Sequence, residues 1–232
     1  MKKLVVFTGA GISAESGLKT FRDSGGLWEE HRIEDVATFQ AWEKNQALVL
    51  DFYNKRRKQV LEAKPNAAHR ALVKLENKYE VRIITQNVDD LHERAGSSNV
   101  LHLHGEILKS RSTLDQALTY AIKGWELKQG EKCERGSQLR PHIVWFGEQV
   151  PNMDLAYMLA AKADLFLIIG TSLNVYPAAG LVEYAPSAIP KYLIDPNPIS
   201  NNLLLENMKH ISEKAVQGVV KLVEGLLSGA DE

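Results

Sequence analysis

The feature that most constrains this chain is a set of short, unbroken apolar runs separated by helical patterns. Leu4-Val5-Val6-Phe7 is the first and Val81-Arg82-Ile83-Ile84-Thr85 the second. Val100-Leu101-His102-Leu103-His104, Asp164-Leu165-Phe166-Leu167-Ile168-Ile169 and Lys191-Tyr192-Leu193-Ile194-Asp195 follow, and His142-Ile143-Val144-Trp145-Phe146 reads as a further short strand. A strand with one face in water alternates apolar and polar residues, whereas a continuous run is buried on both faces, as in parallel sheets. Helical spacing fills the gaps. Residues 45–62 carry Leu48, Phe52 and Leu61, Asn66 can cap a helix over 67–78 after Pro65, and 154–162 and 213–227 read the same way. Strand and helix in alternation predict an α/β chain: one Rossmann-like, doubly wound parallel sheet, forming a single domain over residues 1–232.

One segment breaks the alternation. Residues 107–140 are polar, with a possible helix at 114–123, and read as a small inserted module rather than an independent domain. The chain has 232 residues, enough to bury roughly 70% of its unfolded surface without disulfide or metal support. With 28 basic and 29 acidic residues it carries a formal charge of -1, which gives no electrostatic reason for a nucleic-acid or membrane partner. Its one cysteine, Cys133, excludes an internal disulfide and a four-cysteine zinc site. No run approaches the roughly 18 apolar residues of a membrane span, and Met1-Lys2-Lys3 leads into a strand rather than a signal peptide. A cytoplasmic monomer is expected.

Gly9-Ala10-Gly11-Ile12-Ser13-Ala14 follows the first strand and fits G-x-G-x-x-A. Glycines there let the backbone approach a pyrophosphate, and a helix N-terminus stabilises its charge. A ligand-free tight turn between strand and helix is the alternative. A Rossmann dehydrogenase would place an acidic residue at a strand end about 20 residues on. That distance falls in Ser24-Gly25-Gly26-Leu27-Trp28-Glu29-Glu30, which is loop-like. A dinucleotide here is therefore not held as a dehydrogenase holds it.

Further segments narrow the choice. Gly17-Leu18-Lys19-Thr20-Phe21-Arg22 continues the glycine run; Thr85-Gln86-Asn87-Val88-Asp89, Leu103-His104-Gly105-Glu106, Val144-Trp145-Phe146-Gly147-Glu148 and Gly170-Thr171-Ser172 follow in order. Across most of the chain this resembles the sirtuin family of NAD-dependent protein-lysine deacylases, and especially the branch that removes acidic acyl groups. The resemblance implies that NAD is consumed. The acyl-lysine oxygen attacks C1′ of the nicotinamide ribose, nicotinamide leaves, a ribose hydroxyl attacks the resulting imidate, and the acyl group departs on ADP-ribose.

His104 suits the general base, because an imidazole titrates near neutral pH. His102 shares its strand face and, like His92, reads as a core histidine. Gln86, Asn87 and Asp89 end a strand, where open α/β sheets bind ligands. By resemblance Gln86 and Asn87 contact the ribose, Asp89 and the Ile12 backbone hold the carboxamide, and Asn87 and Asp89 join His104 in catalysis. The resemblance also puts Gly9, Ala10, Gly11, Ser13, Phe21, Arg22, Trp28, Gly170, Thr171, Ser172, Asn197 and Ala215 on the cofactor. Phe146, Gly147, Leu173 and Val175 would clamp the acylated-lysine peptide as an added strand.

Tyr53 and Arg56 stand at i and i+3 on a helix and share a face. The resemblance implies that this pair reads an acyl carboxylate, Arg56 gripping it bidentately and Tyr53 donating a hydroxyl, with Ala37 leaving room for the acyl chain. The alternative is a solvated basic face, since Lys55, Arg56, Arg57 and Lys58 form a charge run. The family's zinc cysteines are missing: Arg111-Ser112-Thr113-Leu114 has none and Lys132-Cys133-Glu134-Arg135-Gly136 has one. The expectation is no bound zinc, with Leu118 and Ile122 of the 114–123 helix securing the module. A protein-lysine desuccinylase or demalonylase with deacetylase activity follows. Its rivals are mono-ADP-ribosyl transfer, which needs no carboxylate reader, and a non-catalytic NAD-sensing module.

Overall fold

A computed structural model describes residues 1–19, 27–28, 31–197 and 206–229. The chain runs β1 (Lys3–Thr8), α1 (Gly11–Ala14), β2 (Leu27–Trp28), β3 (His31–Arg32), α2 (Ile33–Val36), α3 (Phe39–Lys44), α4 (Gln46–Glu62) and α5 (Ala67–Leu75). It continues through β4 (Glu80–Thr85), α6 (Leu91–Ala95), β5 (Val100–His102), β6 (Gly105–Ser112), β7 (Thr119–Ala121) and β8 (Leu139–Ile143). The last part holds α7 (Met153–Ala160), β9 (Leu165–Ile169), a 3-10 helix at Ala178–Tyr184, β10 (Lys191–Ile194), β11 (Met208–Ile211) and α8 (Ala215–Ser228).

Six strands form one parallel sheet in the order β11-β10-β9-β1-β4-β5. Read from the opposite edge this is the doubly wound order 3-2-1-4-5-6, and the winding reverses beside β1. Both faces of β1 are buried, as its unbroken run requires. Leu4 and Val6 pack with Leu72 of α5 and Val219 and Leu222 of α8. Val5 and Phe7 pack on the other side with Ala156 of α7 and Leu181 of the 3-10 helix. A third core joins α2, α3 and α4 to a small antiparallel sheet, β7-β6-β8, through residues such as Trp42, Tyr53, Ile107 and Trp145.

Helix starts follow their caps. Asn45 accepts from Leu48 N, and Asn66 forms a capping box with His69. Asn66 does more: its Nδ2 donates to Ile12 O (2.8 Å) and Ser16 Oγ (3.0 Å), which fastens α5 to the glycine loop.

Five readings of the sequence are corrected. No helix spans 114–123. Ser112 Oγ accepts from Leu114 N and Asp115 N, and Asp115 caps a turn at Ala117, so the chain reverses and returns as β7 against β6. Ile122 and Tyr120 pack on the third core from this hairpin, while Leu118 is half-buried. The basic run on α4 is a solvated face only at Lys55 and Lys58; Arg56 and Arg57 are 8% and 0% exposed. Leu61, counted on the apolar face, points outward at 43% exposed, and Val49, Phe52, Tyr53 and Val60 make that face instead. Leu27 and Trp28, read as loop, form a two-residue strand paired with β3. The strand read at 142–146 is β8 and ends at Ile143; the edge strand β11, short and half-polar, had no apolar run to announce it.

Candidate active site

A cleft of about 590 Å³ opens at the C-terminal ends of β1, β4, β9 and β10, where the winding reverses. Its floor is two interlocked loops. Gly9 N donates to Ile169 O (3.0 Å) and Gly11 N to Gly170 O (2.8 Å). A Cβ on Gly11 would lie 2.6 Å from Gly170 Cα, and one on Gly170, whose φ is +60°, 2.5 Å from Ile12 N. The glycines are thus required first by each other, and their packing lays bare backbone along the cleft.

β4 ends in Thr85, and the turn after it carries the polar wall. Asn87 N donates to Thr85 Oγ1 (3.0 Å), while Asn87 Nδ2 reaches Gly9 O (3.1 Å) and Ser13 Oγ (3.2 Å). Ser13 Oγ donates to Asp89 Oδ2 (3.1 Å), and Leu91 N donates to Asp89 Oδ1 (3.2 Å). Gln86 Nε2 donates to Thr171 Oγ1 (2.9 Å), which joins the β4 turn to the β9 loop. Burial pushes the Asp89 carboxyl above its usual range, opposed by those donors.

His104 sits in the bend between β5 and β6 and lines the cleft. Its Nδ1 lies 3.1 Å from Gln86 O, a pure acceptor, so Nδ1 carries the proton and Nε2 keeps a lone pair. Burial lowers its pKa below 6.5, against the raising effect of the Gln86 carbonyl. The ring is a neutral base at pH 7.

α4 closes the opposite end. Tyr53, Arg56 and Val60 line the cleft with Ala37. Arg57 turns away: it donates from Nε to Ile107 O (2.6 Å) and from Nη1 to Asn54 Oδ1 (2.7 Å) and Trp125 O (2.8 Å), stitching α4 to the small sheet. Trp145 Nε1 donates to Tyr53 Oη (3.0 Å), and the Arg140 guanidinium lies 3.3 Å over the Trp145 ring. Glu148 accepts from Arg140 Nη1 (2.6 Å) and Nη2 (3.0 Å), Arg111 Nη2 (2.9 Å) and Trp145 N (2.8 Å). Burial alone would raise the Glu148 carboxyl, but Arg140 and the other donors hold it below its ordinary range.

The cleft brings together Gly9, Ala10, Gly11, Ser13, Gln86, Asn87, Asp89, His104, Gly170, Thr171, Ser172, Asn197 and Ala215 with Ala37, Tyr53, Arg56, Phe146, Gly147 and Val175. Ile12 and Leu173 are buried beneath it, so only their backbone can serve it. Phe21 and Arg22 lie outside the described residues, and Trp28 is described in its backbone alone. Sequence reasoning passed over Asp195 and Lys214, which also line the cleft. Asp195 Oδ1 accepts from Asn197 N (2.9 Å) and Nδ2 (3.0 Å); its place at the end of an apolar run was the signal.

The small sheet does not offer a zinc set. Cys133 is buried, and its Sγ lies 3.3 Å from Ser112 Oγ and 3.2 Å from Ser137 Oγ, which pull its pKa down to about 7. One thiol and two hydroxyls are not a tetrahedral zinc donor set, and among the described residues no group of three His, Cys, Asp or Glu is placed to hold a metal.

Fold and site together define a Rossmann-like α/β protein with a nucleotide-sized cleft, apolar in most of its lining with polar groups converging on it, at the switch point of its sheet. The Sir2 family model matches residues 9–177. An NAD-dependent protein deacylase of Bacteroides thetaiotaomicron is 52% identical over 233 residues, covering 98% of this chain and 99% of the relative. One from Helicobacter pylori (strain ATCC 700392 / 26695) is 54% identical over 232 residues, covering 99% of this chain and all of the relative's 100%. A solved Sir2 homolog-NAD complex superposes with a TM-score of 0.87 at 38% identity, covering 98% of this chain and 90% of that one. The chain belongs to the Sir2 family.

Proposed function

We propose that this protein is an NAD-dependent protein-lysine deacylase that favours succinyl and malonyl over acetyl groups. The observation that carries the reading is the placement of a buried guanidinium, Arg56, in the same cleft as the neutral base His104. NAD supplies the bond whose cleavage frees nicotinamide and leaves ADP-ribose as acyl acceptor. The chain's residues do the rest. Bare backbone at Gly9, Gly11 and Gly170 gives the phosphates close approach. Gln86, Asn87 and Ser13 orient the ribose, and Asp89 accepts from the carboxamide. His104 Nε2 takes the proton of a ribose hydroxyl, a step worth roughly 10²–10⁴-fold in rate.

At the far end Arg56 and Tyr53 receive the acyl carboxylate, and Ala37 and Val60 flank the acyl chain. Arg56 is little hydrated, so its attraction for a carboxylate is screened less than at the surface. Phe146, Gly147, Leu173 and Val175 border the path for the peptide. A monomer is the expected state, and a single free thiol, Cys133, fits the cytoplasm.

Arg56→Glu tests the acyl assignment. Matched succinyl-, malonyl- and acetyl-lysine peptides are followed by mass with NAD present. The expected result is a loss of about 100-fold or more on the acidic acyl groups, as for breaking a desolvated charge pair, with acetyl nearly unchanged. An unaltered succinyl-to-acetyl ratio would remove Arg56 as the reader.

A further inference from the structure

His102 ends β5, two residues before His104, and its side chain is almost enclosed. Its Nδ1 lies 2.9 Å from Asn87 O and its Nε2 2.8 Å from Glu93 Oε1. A carbonyl and a carboxylate only accept, so both ring nitrogens must donate. A neutral imidazole has one N–H and the imidazolium two; this geometry selects the imidazolium. His104 differs in one respect: its Nδ1 meets the carbonyl of Gln86, but among the described residues no carboxylate is bonded to Nε2. The two histidines thus grip successive carbonyls of the same turn in opposite protonation states.

The charge sits where it can act. Asn87 presents its side chain to Gly9 and Ser13, and Asp89 follows on the same turn, buried and lining the cleft. His102 and Asp89 also share the wall of a second, smaller cavity of about 200 Å³ behind that turn. The charged groups around His102 are Glu93 on α6, Glu106 on β6 and Asp89, with Lys109 paired to Glu106 and His92 beyond. Asn152 Nδ2 donates to His102 O (2.8 Å) and fixes its backbone. Burial opposes the positive form of the ring, yet the Glu93 pairing and the Asn87 carbonyl outweigh it and raise its pKa above 6.5.

We propose that His102 is a positioning residue: an imidazolium clamped between Glu93 and the Asn87 carbonyl that aims Asn87 at the co-substrate. This rests on the cleft being the NAD site of a deacylase. Its consequence is an alkaline limit: once His102 loses its proton, one of its two hydrogen bonds, to Glu93 or to the Asn87 carbonyl, fails.

Two measurements on the full chain test it. Imidazole NMR of the NAD-free protein reports the His102 titration, and KM for NAD is followed against pH at saturating peptide. His102 is expected to be charged at pH 7, with KM for NAD rising above its titration while KM for peptide stays level. Glu93→Gln, altering a half-exposed side chain, should move both the titration and the rise down by about one pH unit. His102→Gln should raise KM for NAD about tenfold at pH 7, the loss expected for one charge-assisted hydrogen bond, with no histidine-linked alkaline rise left. A His102 neutral at pH 7, or a KM profile unmoved in Glu93→Gln, overturns the proposal while NAD turnover leaves the deacylase reading standing. A wild-type protein that consumes no NAD removes both.

Discussion

At the residue scale, hydrogen-bond partners decide what each titratable side chain can do. His104 is neutral at pH 7 because burial depresses its pKa and only its Nδ1 meets an acceptor. Deacylation should therefore rise with pH through a pKa below 6.5 and be level by neutrality. His104→Ala should lower kcat by about 10²–10⁴-fold while NAD still binds. A variant that retained wild-type turnover would contradict the base assignment. The sequence made His104 legible through Leu103-His104-Gly105-Glu106, but it grouped His102 with core histidines. What separates the two is Glu93, nine positions away in chain and brought close only when α6 packs beside β5; no local pattern encodes that pairing. Arg56 and Arg57 teach the same lesson. Adjacent in a basic run, one faces the cleft and the other the Ile107 carbonyl of β6, the Trp125 carbonyl and Asn54 of its own helix, because neighbouring helical positions point about 100° apart.

Elements meet through a few polar joints. Glu148 binds Arg111 of β6, Arg140 of β8 and the Trp145 backbone, and Trp145 passes the connection to Tyr53 of α4. The small sheet thereby braces the Tyr53 and Arg56 end of the cleft with salt bridges and an indole. Both arginine side chains are 4% exposed, so Glu148→Gln leaves two buried guanidinium groups without their carboxylate. Removing one partner of such a pair costs about 3–5 kcal/mol. Chemical denaturation of Glu148→Gln should show a loss of that order, together with a raised KM for acyl peptide. A loss below about 1 kcal/mol would mean that the pair is solvated. The five main apolar runs all became strands of the parallel sheet, because burial on both faces leaves a run little choice. The hairpin of β6 and β7 was misread as helix: its turn depends on Ser112 and Asp115 side chains capping backbone N–H groups, a contest that helical spacing does not register.

The whole molecule places its histidines in a pH-sensitive interior. His69 and His92 lie ring to ring, 4.9 Å apart and fully buried, and His92 Nε2 contacts Thr8 Oγ1 beneath the site (3.1 Å). Burial, with Arg70 nearby, lowers the His69 pKa to about 4, and burial holds that of His92 well below 6.5. Both are neutral in the folded state, while the unfolded chain takes up their protons below about 6.5. Their contribution is intact above that pH and falls away as the pH drops toward 4, by about 2 kcal/mol for His69 between pH 7 and pH 5. Denaturant midpoints at the two pH values check this; equal midpoints would show that the pair is hydrated. The fold, the glycine loop and the family were legible in sequence because each is a local pattern repeated in order. Lys214 and the support beneath Tyr53 were not, since they arise where distant segments converge.

In the proposed function one cleft joins NAD consumption to removal of an acidic acyl group. Its most direct test is to incubate the purified protein with NAD and matched succinyl-, malonyl- and acetyl-lysine peptides, and to weigh the products. The expected result is loss of the acyl group with one nicotinamide released per lysine freed, O-acyl-ADP-ribose as the other product, and succinyl and malonyl peptides turned over ahead of acetyl. NAD consumed without any peptide losing its acyl group would contradict it.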